Sequence, residues 1–581
     1  MFKRILSLLL CLLMFSACLV GCSKEKDAVE ETAKEASKST ATIAMHLMSE
    51  KEVSEKQAAE IQNAVNKITK SKFKTQLVLH FYTEEDYYLA LDQAYADRKT
   101  AGADKQNSSN AAKDENAAET TEETFVDEYG VTQLKYPTIP DYQVDIFYLG
   151  GYEKLMEYID ENRLSDLSAE LSSASKKIKT FMTPGYLEST NKVCGGIFSI
   201  PTNEPVGEYT YMLLNKDLMK KYHHVAGDFD SLIGTKTSQF LNVVKTYEPD
   251  YVPLRSFTET KELDITNFGY FGIDENGNFD GSTFSLLGGN YDSSWKYGVA
   301  GQYIPCQNIF LDSSSFKSDV STLIGYKEAG YYGTEADADK DFAVGYIKGG
   351  IELVDEYSDK YEVIVLENPQ LNTMDLFNHM FAVSSYTTNL ARSMEILTYL
   401  YTNADFRNLL LYGIEETNYE LVESEMKDAN GDPYMVVKRL NENYMMAPEK
   451  TGNVLLAMPT VDQAPNLREL YKKQNSDSSV SLVMGFKADY NGMKLSEEQA
   501  TALREASLEF YNAIIACKTV TEFNIACDTM FTKTTVGTLG DAMNTIAIED
   551  PNDPSIKYDT LTTIYNTWLT NNKLIVSSSG E

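Results

Sequence analysis

The residue whose setting most directly dictates a reaction is Cys22, the last of Leu19-Val20-Gly21-Cys22. Lys3 and Arg4 make a short basic start, and Ile5 to Val20 carries no charge. That run is too short to span a hydrocarbon core of about 30 Å comfortably, and its layout is that of an export signal. A small residue followed by cysteine at its end looks like a bacterial lipobox. There the sulfur takes a diacylglyceryl group and the cysteine becomes the mature N-terminus. Two acyl chains hold a protein on a membrane stably, where one does so only marginally. The alternative is an ordinary secretory signal with an incidental cysteine, but a polar spacer follows at once. The expectation is a leader over 1–21, lipidation at Cys22, and work at the outer face of a cell membrane.

Elsewhere the residues that could do chemistry are sparse. HExxH, a P-loop, GxGxxG after a strand and GxSxG are all missing from the sequence. There are five histidines, and the adjacent His223 and His224 cannot share a helix face as i, i+4 metal ligands would. The 86 acidic residues neither exclude a glycosidase pair nor single one out. Asp274, Asn276, Asn278 and Asp280 open like a calcium loop, but Phe279 stands where glycine is required and Ser285 where glutamate is. A hairpin turn through Asn276-Gly277 explains them better, and Asp428 to Pro433 reads the same way. The expectation is no catalytic residue, no metal and no cofactor.

Composition sets the outer bounds. The chain has 581 residues, more than one hydrophobic core usually serves, so two or three lobes are expected. The formal net charge of −34 repels phosphate backbones and anionic lipid, which argues against a nucleic-acid partner. Of the seven cysteines, Cys11 and Cys18 leave with the leader. Cys194, Cys306, Cys517 and Cys527 match no zinc or thioredoxin spacing, and their redox state stays open. The 38 tyrosines suit wet binding surfaces, although many must be core.

The elements follow from periodicity. Residues 22–40 read as a flexible stalk, with Val29 the one large apolar residue after the cysteine. Ala41 to Leu47 is a strand candidate. A helix follows with Val53, Ile61, Val65 and Ile68 on one stripe and Ser54 and Gln57 as its capping box. Leu77, Leu79 and Phe81 alternate as a second strand, and Asp86 to Arg98 is a second helix. Residues 99–128 are nearly empty of large apolar side chains and are expected to be a disordered insertion. Val144 to Tyr148 is a buried strand, Gly150-Gly151 a turn, and Tyr152, Leu155, Met156 and Ile159 a helical face. This order predicts an α/β fold with a parallel sheet. From Tyr209–Leu214 to about Lys340 the pattern is irregular, before Phe342–Tyr346 and Tyr361–Leu366 return to strand. Later helices run through Leu390 to Tyr401, to a cap at Gly413, and from Ser496 to Cys517. A last one is expected through Tyr558, Leu561, Tyr565 and Trp568.

Several segments together resemble a known family. They are VDIFYLGGYEKLMEYI (144–159), LSDLS (164–168), GIFSIPTNEPVGEYTYMLLNKDLM (196–219), FAVGYIKGG (342–350), FAVSSYTTNLARSMEILTYLYTNADFRNLLLYGIEETNYEL (381–421) and TGNVLLAMP (451–459). In this order, behind a lipobox, the chain resembles the extracellular solute-binding proteins of family 1, the receptors of carbohydrate-type ABC importers. The resemblance implies a two-lobe periplasmic-binding-protein-like fold with a hinge. Ile200–Asn203, Phe342–Gly345 and His379–Val383 would be the crossings. Lobe 1 would combine 41–200 with 341–380, and lobe 2 would hold 201–340 and 381–581, including the C-terminal helices.

The resemblance also implies a function and a site. The chain would be a monomeric receptor that captures a small solute, an oligosaccharide, and delivers it to ABC permease subunits without altering it. A lipid-anchored carbohydrate hydrolase and a sensor lipoprotein without a permease are the alternatives. By position, Tyr148 would stack on a sugar at a strand's end, with Tyr152 opening the next helix. Asn203 and Glu204 follow the first crossing and Tyr346 the second. Tyr291 and Trp295 lie in a glycine-rich stretch, and Glu415 and Tyr419 belong to YGIEETNYE. Relatives often carry glycine where this chain has Glu416, whose side chain would narrow the cleft.

Overall fold

The computed structural model describes residues 39–103, 123–126, 132–256, 268–270, 272–273, 279–280, 286–290, 307–308, 314–337, 339–480, 497–532, 548–550 and 553–558. The leader, most of the stalk, Cys22, most of the 99–128 insertion, Tyr291, Trp295, Cys306 and Trp568 lie outside the described residues. The chain divides into two compact units, Met1–Phe147 with Val383–Tyr399, and Tyr148–Ala382 with Leu400–Glu581. These bounds differ from those expected for the lobes.

The first unit opens with strand β1 (Ala41–Ser49), helix α1 (Glu55–Phe73), strand β2 (Thr75–Thr83) and helix α2 (Glu84–Thr100). β1 pairs in parallel with β2, Met45 facing Leu79, and with the start of β3 (Ile146–Gly150). Ser54 caps α1 as its spacing predicts, its hydroxyl accepting from the Gln57 amide at 3.3 Å. Ile61 and Val65 are the fully buried part of the expected stripe. Every residue of β1 is buried, as a strand covered on both faces must be. Asp145 is buried with them. Its carboxylate accepts from the Ala44 amide at 2.8 Å, Gln143 Nε2 at 2.8 Å and Thr387 Oγ1 at 2.6 Å, which offsets the cost of burying it.

The second unit continues from Tyr148 through helix α3 (Tyr152–Asp160), helix α4 (Tyr186–Cys194) and strand β4 (Ser199–Pro201). Its main sheet contains β5 (Tyr209–Asn215), β6 (Val252–Ser256), β7 (Phe342–Gly349) and β8 (Tyr361–Glu367), in the order β8-β5-β7-β6. Helix α5 (Thr235–Tyr247) puts Phe240, Leu241 and Val244 into a core with Met212, Leu214, Leu254 and Val344. The expectation of irregular chain up to Lys340 is therefore corrected. α5, β6 and the helix Ser314–Glu328 fall within it.

Beyond the sheet come α6 (Thr373–Leu376), β9 (His379–Val383), α7 (Leu390–Thr402) and α8 (Ala404–Tyr412). α8 stops at Gly413, whose φ of +85° marks it as the predicted cap. A hairpin of Tyr419–Lys427 and Pro433–Arg439 and helix α9 (Leu467–Asp477) follow. The chain then runs through helices Glu497–Ala516 and Val520–Thr532. Tyr558 ends a strand, Asp553–Tyr558, rather than opening a helix. Among the described residues, no helix is long and apolar enough to cross a membrane.

Candidate functional site

β4 and β9 run antiparallel, pairing Phe381 with Ile200 and Met380 with Pro201. Just past the end of this ladder, the Thr202 amide and hydroxyl both donate to the His379 carbonyl, at 3.0 and 3.2 Å. Asn203 then takes φ +62°, a left-handed conformation that asparagine tolerates better than most side chains. The turn carries Glu204 back towards His379, whose Nδ1 donates to Glu204 Oε1 at 2.8 Å and Oε2 at 3.0 Å. Both side chains keep part of their surface in water, 27% for His379 and 21% for Glu204, so the carboxylate has lone pairs left for another donor.

The ring of Tyr148, at the end of β3, stacks on His379 with centroids 6.1 Å apart and meets Phe381 edge-on at 6.2 Å. Tyr152 packs on Phe377 at 5.6 Å. Gly150 lets this happen: a Cβ there would sit 2.7 Å from the Tyr148 hydroxyl. Gly151, at φ +88°, donates to the carbonyls of Phe377 and Asn378 and turns the chain into α3.

Buried amides hold the Glu204 turn from behind. Asn203 Oδ1 accepts from the Thr183 amide at 2.8 Å and its hydroxyl at 2.6 Å, while Nδ2 donates to Phe181 O and to Asn453 Oδ1. Asn475 of α9 donates to Thr183 Oγ1 at 3.0 Å and to the carbonyls of Asn203 and Glu204, and accepts from the Tyr186 hydroxyl at 3.2 Å. Burial pushes the Tyr186 phenol well above its usual range, and the charges of Glu204 and Asp375 push it further. The Tyr471 phenol is raised by burial and then by Glu352, Glu449 and Glu204. Arg407, on α8, is fully buried, one Nη donating to Pro448 O at 2.7 Å. Its burial lowers the guanidinium to about 10.

The sequence-predicted residues thus fall in several settings. Tyr148, Tyr152, Asn203 and Glu204 converge at the ends of β3, β4 and β9. Among them only Glu204 presents a partly exposed polar group, and Asn203 is entirely buried with its amide spent on protein partners. Tyr346 lies 1% exposed in the core of the four-stranded sheet. Tyr419 packs on Tyr412 at 5.7 Å beside an exposed Glu415. Glu416 has φ +62°, which is why glycine suits that position, and its side chain is exposed. His379 and Asn475 went unrecognised as site residues. His379 stood at a predicted crossing, but nothing distinguished Asn475 from a solvated helix face. Among the described residues no group of histidine, cysteine or acidic side chains could hold a metal ion.

Comparison with known proteins gives this geometry its setting. A carbohydrate ABC transporter substrate-binding protein of Streptococcus pneumoniae serotype 4 is 24% identical over 372 residues, covering 60% of this chain and 68% of its own. The chain is a homologue of that substrate-binding protein. No family model matches it. Among solved structures, the N-glycan transport solute binding protein of Streptococcus pneumoniae aligns at TM-score 0.49 with 17% identity, over 92% of this chain and 100% of that one. An extracellular solute-binding protein of Bifidobacterium longum subsp. infantis aligns at TM-score 0.45 with 13% identity, over 92% and 99%.

Proposed function

We propose that this chain is the substrate-binding component of a carbohydrate ABC importer, capturing an oligosaccharide outside the cell and passing it unaltered to permease subunits. The observation that carries the reading is the Glu204 carboxylate, held by His379 beside the stacked Tyr148 ring and still open to water. Sugars ask for charged acceptors on their hydroxyls, which an open carboxylate supplies, whereas Tyr148 is buried and gives its ring to His379 and Phe381. A hydrogen bond to a charged group contributes about 1.5–3 kcal/mol, so a handful supports micromolar binding, near −8 kcal/mol. The homology to a carbohydrate substrate-binding protein supports the same choice of ligand. Capture by lobe closure, a monomeric state, no catalysis and a Cys22 lipid anchor on the outer membrane face belong to the same proposal.

Isothermal calorimetry of the mature protein against α-linked glucose and mannose oligosaccharides and N-acetyllactosamine oligomers tests it. Micromolar binding to at least one class, weakened about tenfold or more in Glu204→Gln, is expected. Turnover of any of these glycans would overturn the reading in favour of a hydrolase.

A further inference from the structure

His379 ties the proposed site to the core: its ring stacks on the buried Tyr148 and its Nδ1 holds both carboxylate oxygens of Glu204. Carboxylates accept and do not donate, so Nδ1 carries the proton in this pair. His379 has little freedom of its own, its ring held by the stack on Tyr148. It opens β9, its carbonyl takes two hydrogen bonds from Thr202, and its neighbour Met380 pairs with Pro201. Glu204 is the less constrained partner. Its backbone is fixed by Asn475 and Tyr186, and His379 Nδ1 donates to both oxygens of its carboxylate.

We infer that His379 is the positioning residue that sets the direction of the Glu204 carboxylate and through it the affinity of the site. The inference rests on the proposed role of Glu204 in ligand capture. A carboxylate on a flexible side chain must otherwise be ordered when ligand arrives, and that ordering subtracts from binding. The charged and titratable groups around the pair argue for a dedicated holder. Asp375 on α6 is a second carboxylate beside Tyr186, and Glu352 and Glu449 act with Glu204 on Tyr471 of α9. Tyr401, on α7, is fully buried and its hydroxyl donates to Ile200 O, and Arg407 is fully buried with one Nη donating to Pro448 O.

Crystal structures of the ligand-free wild type and His379→Leu give the first test. The carboxylate is expected to leave its place in the variant, and an unmoved carboxylate overturns the inference whatever the ligand proves to be. The second test is calorimetry with the glycan probes named above, with thermal melting alongside. His379→Leu is expected to weaken binding about fivefold to twentyfold, and His379→Asn, which keeps a donor near Nδ1, by no more than about threefold. In the Glu204→Gln background His379→Leu should cost less than about twofold, because the group it positions is gone. An equal loss in both backgrounds would make His379 merely structural and sink the inference. A Glu204→Gln variant that binds as tightly as wild type would instead sink the role of Glu204 itself.

Discussion

His46 and His80 face each other across the parallel β1–β2 ladder, rings stacked with centroids 4.6 Å apart, and Tyr82 extends the stack. His46 Nε2 donates to the Gln143 carbonyl at 3.1 Å, which places a proton on Nε2. Burial, then the neighbouring His80, lowers His46 to about 3, and burial also lowers His80. Below pH 6.5 the unfolded chain therefore binds protons that the folded one refuses. The stability contributed by neutral His46 is complete above that value and is lost as pH falls towards 3. The slope approaches 1.4 kcal/mol per pH unit, about 2 kcal/mol by pH 5. Denaturation midpoints measured from pH 7 to pH 5 should fall more steeply for wild type than for His46→Asn. Parallel pH profiles would contradict this account.

Asn203 joins four partners through one amide while its backbone sits at φ +62°. Asn203→Ala leaves the Thr183 and Asn453 groups buried without it and keeps the strained backbone. Unsatisfied buried groups cost about 1–3 kcal/mol each, so a loss of about 3 kcal/mol or more is expected in urea denaturation. A loss below about 1 kcal/mol would mean the turn reorganises without the side chain.

Glu416 pays a backbone penalty that a glycine would not. Its side chain is exposed, and its amide donates to the Tyr419 carbonyl at 2.7 Å in a way any residue can reproduce. Glu416→Gly should stabilise by about 0.5–1 kcal/mol, with Glu416→Ala giving no such gain. Thermal melts of the two variants side by side decide the matter.

What the sequence made legible is local. Periodicity located β1, α1, β2, α2 and α3, and the Ser54 cap and Gly413 stop, because each depends on neighbours within a few residues. Glu204 could be named as a candidate because it follows the first crossing in the segment that carries the resemblance. Its holders could not. His379 lies 175 positions away and Asn475 is joined to Thr183 across 292, separations at which composition and spacing carry no signal. Tyr346 shows the converse: its place after a predicted crossing suggested a ligand, but its ring belongs to the core that Phe240, Leu241 and Val244 of α5 form on the four-stranded sheet, which buries it.

Cys22→Ala tests the anchor independently of the ligand. The variant should lose lipid attachment and leave the membrane fraction when cells are separated from medium, whereas wild type should stay with membranes until detergent is added. Membrane retention of the variant would remove the lipobox reading.

The last prediction concerns the close approach at the end of β3. Tyr148 is only 3% exposed, so Tyr148→Ala would confound lost packing with lost binding, at about 3–5 kcal/mol for a large buried ring. Tyr148→Phe keeps the ring on His379 and removes only the hydroxyl. Gly150→Ala drives a methyl to 2.7 Å from that hydroxyl and 3.2 Å from the ring carbon bearing it. It should cost about 1–3 kcal/mol in the wild type, since overpacking displaces a buried side chain. In the Tyr148→Phe background the nearer contact is gone, so the same substitution should cost about 1 kcal/mol less. Denaturation of the two single variants and the double variant closes the cycle. Strict additivity would show that the Tyr148 hydroxyl is not what Gly150 makes room for, and the glycine would then owe its place to the Asn378 carbonyl, which lies 3.4 Å from the same point.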